Sequence, residues 1–335
     1  MKTQDKALNI ETLRGIAILF VVMGHVIGSK STGGMQVDND SVYRYLYCLF
    51  ENIRMPLFTV ISGWVYSLHP VIKDKLPVFI LKKMRRLIFP MIFVGTAYFI
   101  LQYLTPGTNS KSALSSIWKI YVYPYTLFWY LPALFWVFIL ASLLEVSNLL
   151  NSIKKWGIVT FISWGLCFSQ VSHIIPDSIP NLFALKNALY LMPFFFVGLG
   201  LNRFKDALTV QSMKYIYLTG LIIGVVLQQT DYFMPLEFYS KLRLDIIIGM
   251  ISSAFLISLK ITIPFFIWLA QYAYTIYLFH GFGTAGGRIL FRKLHIYNDL
   301  YIFIGATVIA IVSSIIIEKI FIKWKPTRIL FLGKK

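Results

Sequence analysis

The sequence predicts an all-α protein, a polytopic bundle of about ten transmembrane helices with both termini in the cytoplasm. Residues 1–335 read as a single integral-membrane domain. Composition is the first reason: 57% of residues are hydrophobic and 14% charged, and the mean hydropathy is +0.69. Soluble domains are about 25% charged, so this chain is too apolar to be one. Distribution is the second. Long apolar runs recur end to end, whereas a transmembrane barrel would show short alternating segments. The sidedness of lysine and arginine is the third. With the N-terminus inside, the inner segments hold 21 of them, from Lys2 and Lys6 to Lys334 and Lys335, and the outer segments 8. That bias sets the orientation and favours an even number of spans.

Taken in order, the spans are expected over 13–31, 42–68, 85–103, 126–146, 156–172, 182–201, 214–230, 241–259, 264–281 and 299–321. The first runs from Glu11-Thr-Leu-Arg14 to Gly24-His25. It resembles a signal peptide in position, but no clean small-residue cleavage site follows it. Arg14 and His25 are 11 residues apart, about three turns, so they share a helix face about 16 Å apart along the axis. Arg14 then sits at one membrane border with His25 at depth, where a titratable ring is costly without a partner or water. The second span carries Arg44, Glu51, Asn52 and Arg54, then Met55-Pro56. Glu51 and Arg54 are i, i+3 neighbours, and Pro56 should loosen the helix. Counted from the outer ends, His25 is about 9 Å and Glu51 about 14 Å deep. A carboxylate there can orient the imidazole; alternatively, a buried Glu–Arg pair only pins two helices. Lys82-Lys83-Met-Arg85-Arg86 opens the third span. It reads either as a positive-inside anchor or as a phosphate clamp, and charge spacing does not separate the two. The stretch 104–125, with Trp118, Tyr121, Tyr123 and Tyr125, suits an outer aromatic belt.

Several function classes fall away. The net charge of +18 does not indicate nucleic acid, because the basic residues lie between apolar runs. Cys48 and Cys167 form no disulfide framework or metal spacing, and read as apolar filler. His69, His173 and His295 have no ligand spacing, so no metal is expected. Gly281-Phe-Gly283-Thr-Ala-Gly286 matches a dinucleotide fingerprint in letters only, since it follows an apolar helix rather than a strand.

Arg14-X10-His25 followed by Arg54-Met-Pro-Leu-Phe and Ser62-Gly63 resembles acyltransferase family 3, bacterial integral-membrane O-acyltransferases of surface glycans. The basic run before Leu87-Ile-Phe-Pro90, Phe128-Trp129-Tyr130-Leu-Pro132, and Tyr274-Thr-Ile-Tyr277-Leu-Phe-His280 resemble later motifs of that family. Glu11 stands where the family often has Asp, and Lys82-Lys83 replace arginines, leaving bidentate phosphate contacts to Arg85 and Arg86. No fused esterase-like domain is expected after the last span.

The resemblance implies a multi-pass protein of the bacterial inner membrane. It implies transfer of an acyl group, acetyl first among candidates, from acyl-CoA to a hydroxyl of an exported or lipid-linked glycan. Acyl-CoA enters as donor substrate, with no tightly bound cofactor. That chemistry needs a base and an oxyanion partner. His25 fits the base, Arg54 the developing charge, and Glu51 the orientation of His25. Arg14, Lys82, Lys83, Arg85 and Arg86 are expected on the donor side, and Trp129, Tyr130, Asp245 and His280 on the acceptor side. The donor arm is expected to rise from the cytoplasm while the acceptor arrives from outside. The rival reading is a glycan exporter or flippase, which buried charges would also suit.

Overall fold

The computed structural model describes residues 3–109 and 111–334, with side chains from residue 8 onward. Of the expected inner charges, Lys2, Lys335 and the Lys6 side chain lie outside the described residues. Among the described residues every regular element is helical. The long helices are α1 (Thr3–Ile27), α2 (Val42–Leu68), α3 (Leu76–Leu104), α4 (Tyr130–Val146), α5 (Ile153–Val171), α6 (Leu185–Arg203), α7 (Gln211–Phe233) and α8 (Leu244–Leu259). A short α9 (Pro264–Gln271) precedes α10 (Ala273–Lys293) and α11 (Asp299–Phe321).

Each expected span falls on helix, and α2 and α11 keep their predicted ends. The expected residues 28–31 lie beyond the end of α1, α3 begins at Leu76 rather than at 85, and the span expected over 264–281 is broken. Ile263 is extended ahead of Pro264 (φ −127°, ψ 113°), as sterics before proline demand. Lys260 closes α8 in the left-handed region (φ 55°), and α8 and α9 meet at 117°. Tyr272 then breaks the helix (φ −101°, ψ −2°), and α10 runs on to Lys293. Among the described residues five helical segments are long and apolar enough to cross a membrane, or six if α8 and α9 form one broken span. The other long helices are more polar; α2, for example, bears Arg44, Glu51 and Arg54.

The outward faces are apolar. On α11, Leu300, Ile304, Val308, Val312, Ile316 and Ile320 are exposed at every fourth residue, a stripe that suits lipid. The inward face of α11 is Ala306 and Ala310, against Gly283 and Gly287 of α10. A Cβ on either glycine would strike the α11 backbone, so small residues set the interhelical distance. Of the nucleotide-like string, Gly286 has open space where a Cβ would stand, whereas Gly283 serves helix packing. Gly63 of α2 and Gly198 of α6 do the same for each other's helices.

α1 is enclosed by α2, α9, α10 and α11, and α2 by α1, α6 and α8. The start of α1 holds the α8–α9 corner: Asn9 Nδ2 donates to Ile257 O (3.0 Å), and Ile263 N donates to Thr12 Oγ1 (3.1 Å). Elsewhere, Arg203 Nη2 donates to Glu145 Oε2 (2.8 Å), with both side chains about 15% exposed. Arg203→Ala leaves that carboxylate unpaired, which costs about 3 kcal/mol. A clear fall in the thermal midpoint of detergent-purified protein is expected, and an unchanged midpoint would show the pair to be dispensable.

Candidate active site

α1 and α3 both run from the basic end of the molecule toward one cavity, without packing closely on each other. Their far ends, with the 28–34 loop and the C-terminal half of α10, enclose a cavity of about 580 Å³. His25 lies deep in the bundle, yet its side chain is accessible, and the space it meets is this cavity. Tyr98, Gln102, Leu127, Gly281 and Arg288 line the same space. About three turns of α1 separate His25 from Arg14, so the cavity floor is about 16 Å above the basic end.

His280 stands beside His25, ring centroids 4.9 Å apart. It is fully buried. Its Nδ1 lies 3.0 Å from Ile276 O and 2.8 Å from Tyr277 O. Both partners only accept, so Nδ1 carries the proton and Nε2 presents a lone pair. That Nε2 is buried and has no hydrogen-bond partner among the described residues. Two imidazoles from α1 and α10 thus meet, His25 lining the cavity and the buried His280 behind it with a free lone pair. Sequence spacing ties His25 to Arg14 but not to a residue 255 positions away.

Arg54 reaches α1 from α2 at Gly24, the residue before His25, and does not itself line the cavity. A Cβ at Gly24 would collide with its guanidinium, so a glycine next to His25 admits the charge to α1. The guanidinium lies 4.1 Å from the Tyr47 ring centroid, and Nη2 donates to the Tyr47 hydroxyl. Glu51 lies beside the same tyrosine. No ion pair joins Glu51 and Arg54 among the described residues. The expected i, i+3 pair is replaced by a shared tyrosine, because Arg54 turns back two helical turns onto an aromatic face. The ring against His25 belongs to His280, not to a carboxylate.

At the opposite end, Arg14 pairs with Glu11 (2.8 Å), both side chains about 30% exposed. Lys82 is exposed. Lys83 folds over the Phe138 ring (3.4 Å to the centroid). Arg86 stacks on Tyr274 (3.7 Å) and donates to Leu332 O (3.0 Å). Arg85 keeps a buried Nε without a partner among the described residues. The tail thus packs onto the basic run, and none of Arg14, Lys82, Lys83, Arg85 or Arg86 lines the cavity.

The remaining expected acceptor-side residues are dispersed. Tyr130 is buried, its ring 5.6 Å from Tyr277 and its hydroxyl 3.4 Å from Thr59 Oγ1. Trp129 packs edge-on against Tyr130. Asp245 is held bidentately by Arg243 (3.0 and 2.8 Å), and neither residue lines the cavity. Of those four, His280 alone meets His25. Sequence reasoning did not single out Tyr47 or Arg288. The signal for Arg288 was present, as the first charged residue on the helix after His280.

Among the described residues no cluster of His, Cys, Asp and Glu is suited to hold a metal ion. A family model described as "Acyltransferase domain" matches residues 8–319. No curated protein and no solved structure matches the chain.

Proposed function

Since the chain belongs to the acyltransferase family whose domain model spans residues 8–319, we propose that it moves an acyl group, acetyl first among candidates, from acyl-CoA to a glycan hydroxyl. The protein is a membrane acyltransferase. The observation that carries the finer reading is the His25–His280 pair, with His25 lining a cavity of about 580 Å³, a size that suits a sugar-sized ligand. In the reaction, His25 takes the proton as the acceptor hydroxyl oxygen attacks the thioester carbonyl carbon. Negative charge gathers on the carbonyl oxygen, where Arg54 is the nearby cation. The C–S bond then breaks, the imidazolium returns its proton to the departing sulfur, and an ester and a free thiol remain. His280 holds His25 in place; Glu51 and Tyr47 hold Arg54.

The donor side is proposed at the basic end, with the thioester rising between α1 and α3 over about 16 Å. Arg85 is the best-placed phosphate partner, because Arg86 is engaged by Tyr274 and Leu332. Arg85→Ala should raise KM for acyl-CoA about tenfold, the worth of one charge-assisted hydrogen bond, with little change in acceptor KM. Arg86→Ala should chiefly lower thermal stability. An unchanged donor KM in Arg85→Ala would return the run to the role of a topology anchor.

The function as a whole is tested by mass spectrometry of the surface glycan from a bacterial strain lacking this protein. Loss of an acyl increment from normally exported glycan supports acyl transfer. Loss of the glycan itself would instead make the protein an exporter. Sidedness is tested in sealed vesicles of known orientation with an impermeant acceptor; acylation with donor and acceptor on opposite sides is expected.

A further inference from the structure

From Arg288 we infer that the cavity accepts an anionic glycan, its carboxylate or phosphate held at the end away from His25. As a statement about the acceptor, this rests on the acyl-transfer reading; as a statement about binding, it does not. Arg288 is only 4% exposed and lines the cavity. Its Nη1 donates to Gly34 O (2.8 Å) and to Asn109 Oδ1, and its Nη2 to Gly107 O (3.3 Å). All three acceptors are neutral. Its Nε is buried and has no partner among the described residues. Among the described residues no salt bridge reaches it and no Asp or Glu lines the cavity.

A buried cation without a counter-ion is costly, and the link between residues 34 and 109 does not rest on it alone, because Asn109 Nδ2 donates to Gly34 O (3.3 Å). Arg44 already holds the 28–37 loop, donating to Gly28 O and Val37 O, and it does not line the cavity. Arg288 differs in facing the space where a ligand would sit. Carbonyls fix the two terminal nitrogens of its fork and leave the positive charge uncompensated. A carboxylate or phosphate supplies that compensation, and guanidinium geometry suits both. His280 and Arg288 are separated by about 12 Å of rise on α10. The anion therefore lies well beyond the reacting hydroxyl, on a ligand longer than one sugar ring. A uronic acid in a polysaccharide and the phosphate of a lipid-linked sugar are the two sources of this chemistry.

The test is binding to protein in nanodiscs, without donor, using cellobiose, cellobiouronic acid and a cellobiose phosphate. Wild type should bind at least one of the two anionic sugars on the order of tenfold more tightly than cellobiose; which one identifies the source. Arg288→Gln should remove the preference. Asn109→Asp tests the charge without removing the arginine, because it places a carboxylate where Arg288 already donates; it should fold at least as stably and lose the preference. His25→Ala should keep it. Equal affinity for charged and neutral sugars, no binding of any of the three, or a preference that survives Asn109→Asp overturns the inference. Failure of acyl transfer would be read separately, in turnover with acyl-CoA, and would leave the binding result standing.

Discussion

His25→Ala is expected to abolish acyl transfer, by a factor of about 10²–10⁴, the usual worth of a positioned general base. The side chain faces the cavity rather than packed apolar neighbours, so truncation enlarges an existing space and the fold should survive. The readout is turnover of purified protein together with its thermal midpoint. Full activity at an unchanged midpoint would remove His25 from the base role. His280→Ala adds a contrast. His280 is fully buried and anchored to two carbonyls of its own helix, so its loss should reduce turnover and also cost stability. His280→Gln, which keeps a polar group in place, should recover the midpoint ahead of the rate.

Gly24→Ala is expected to lower kcat by about 10²–10³, the scale of losing one donor to a developing oxyanion. The added methyl would occupy the Arg54 guanidinium's position. That atom is the far end of a flexible side chain, so the arginine swings away and the helix is spared. Alanine also favours helix over glycine by about 0.5–1 kcal/mol, so the protein should be no less stable. Falling activity at constant or rising stability is the signature of a displaced charge. If kcat is unchanged, Arg54 does not serve the oxyanion. Arg54→Lys gives a second reading, because a point charge cannot both stack on Tyr47 and reach α1.

Much was legible in the sequence because membrane helices announce themselves locally. Apolar length, loop charge and proline act within one segment, and they placed α2 and α11 to the residue. The Pro264 break was legible in principle: Ile261-Thr262-Ile263-Pro264 opposes helix before the proline, although the run as a whole reads as continuous and apolar. Arg14 and His25 were likewise visible, since helical periodicity alone places them on one face.

What the sequence by itself determined is the class of protein, a membrane helix bundle with one ionisable face on its first helix, and the motifs that resemble an acyltransferase family. What only the tertiary structure decided is which distant groups meet. His280 against His25, Tyr47 instead of Glu51 as the partner of Arg54, and Arg288, without a counter-ion among the described residues, in the cavity that His25 lines all depend on how α1, α2 and α10 cross. Those crossings are set by close approaches such as Gly24 to Arg54 and Gly283 to Ala310. Helix periodicity is a property of consecutive residues; a contact between residues some 250 positions apart follows from packing, in which every neighbouring side chain takes part.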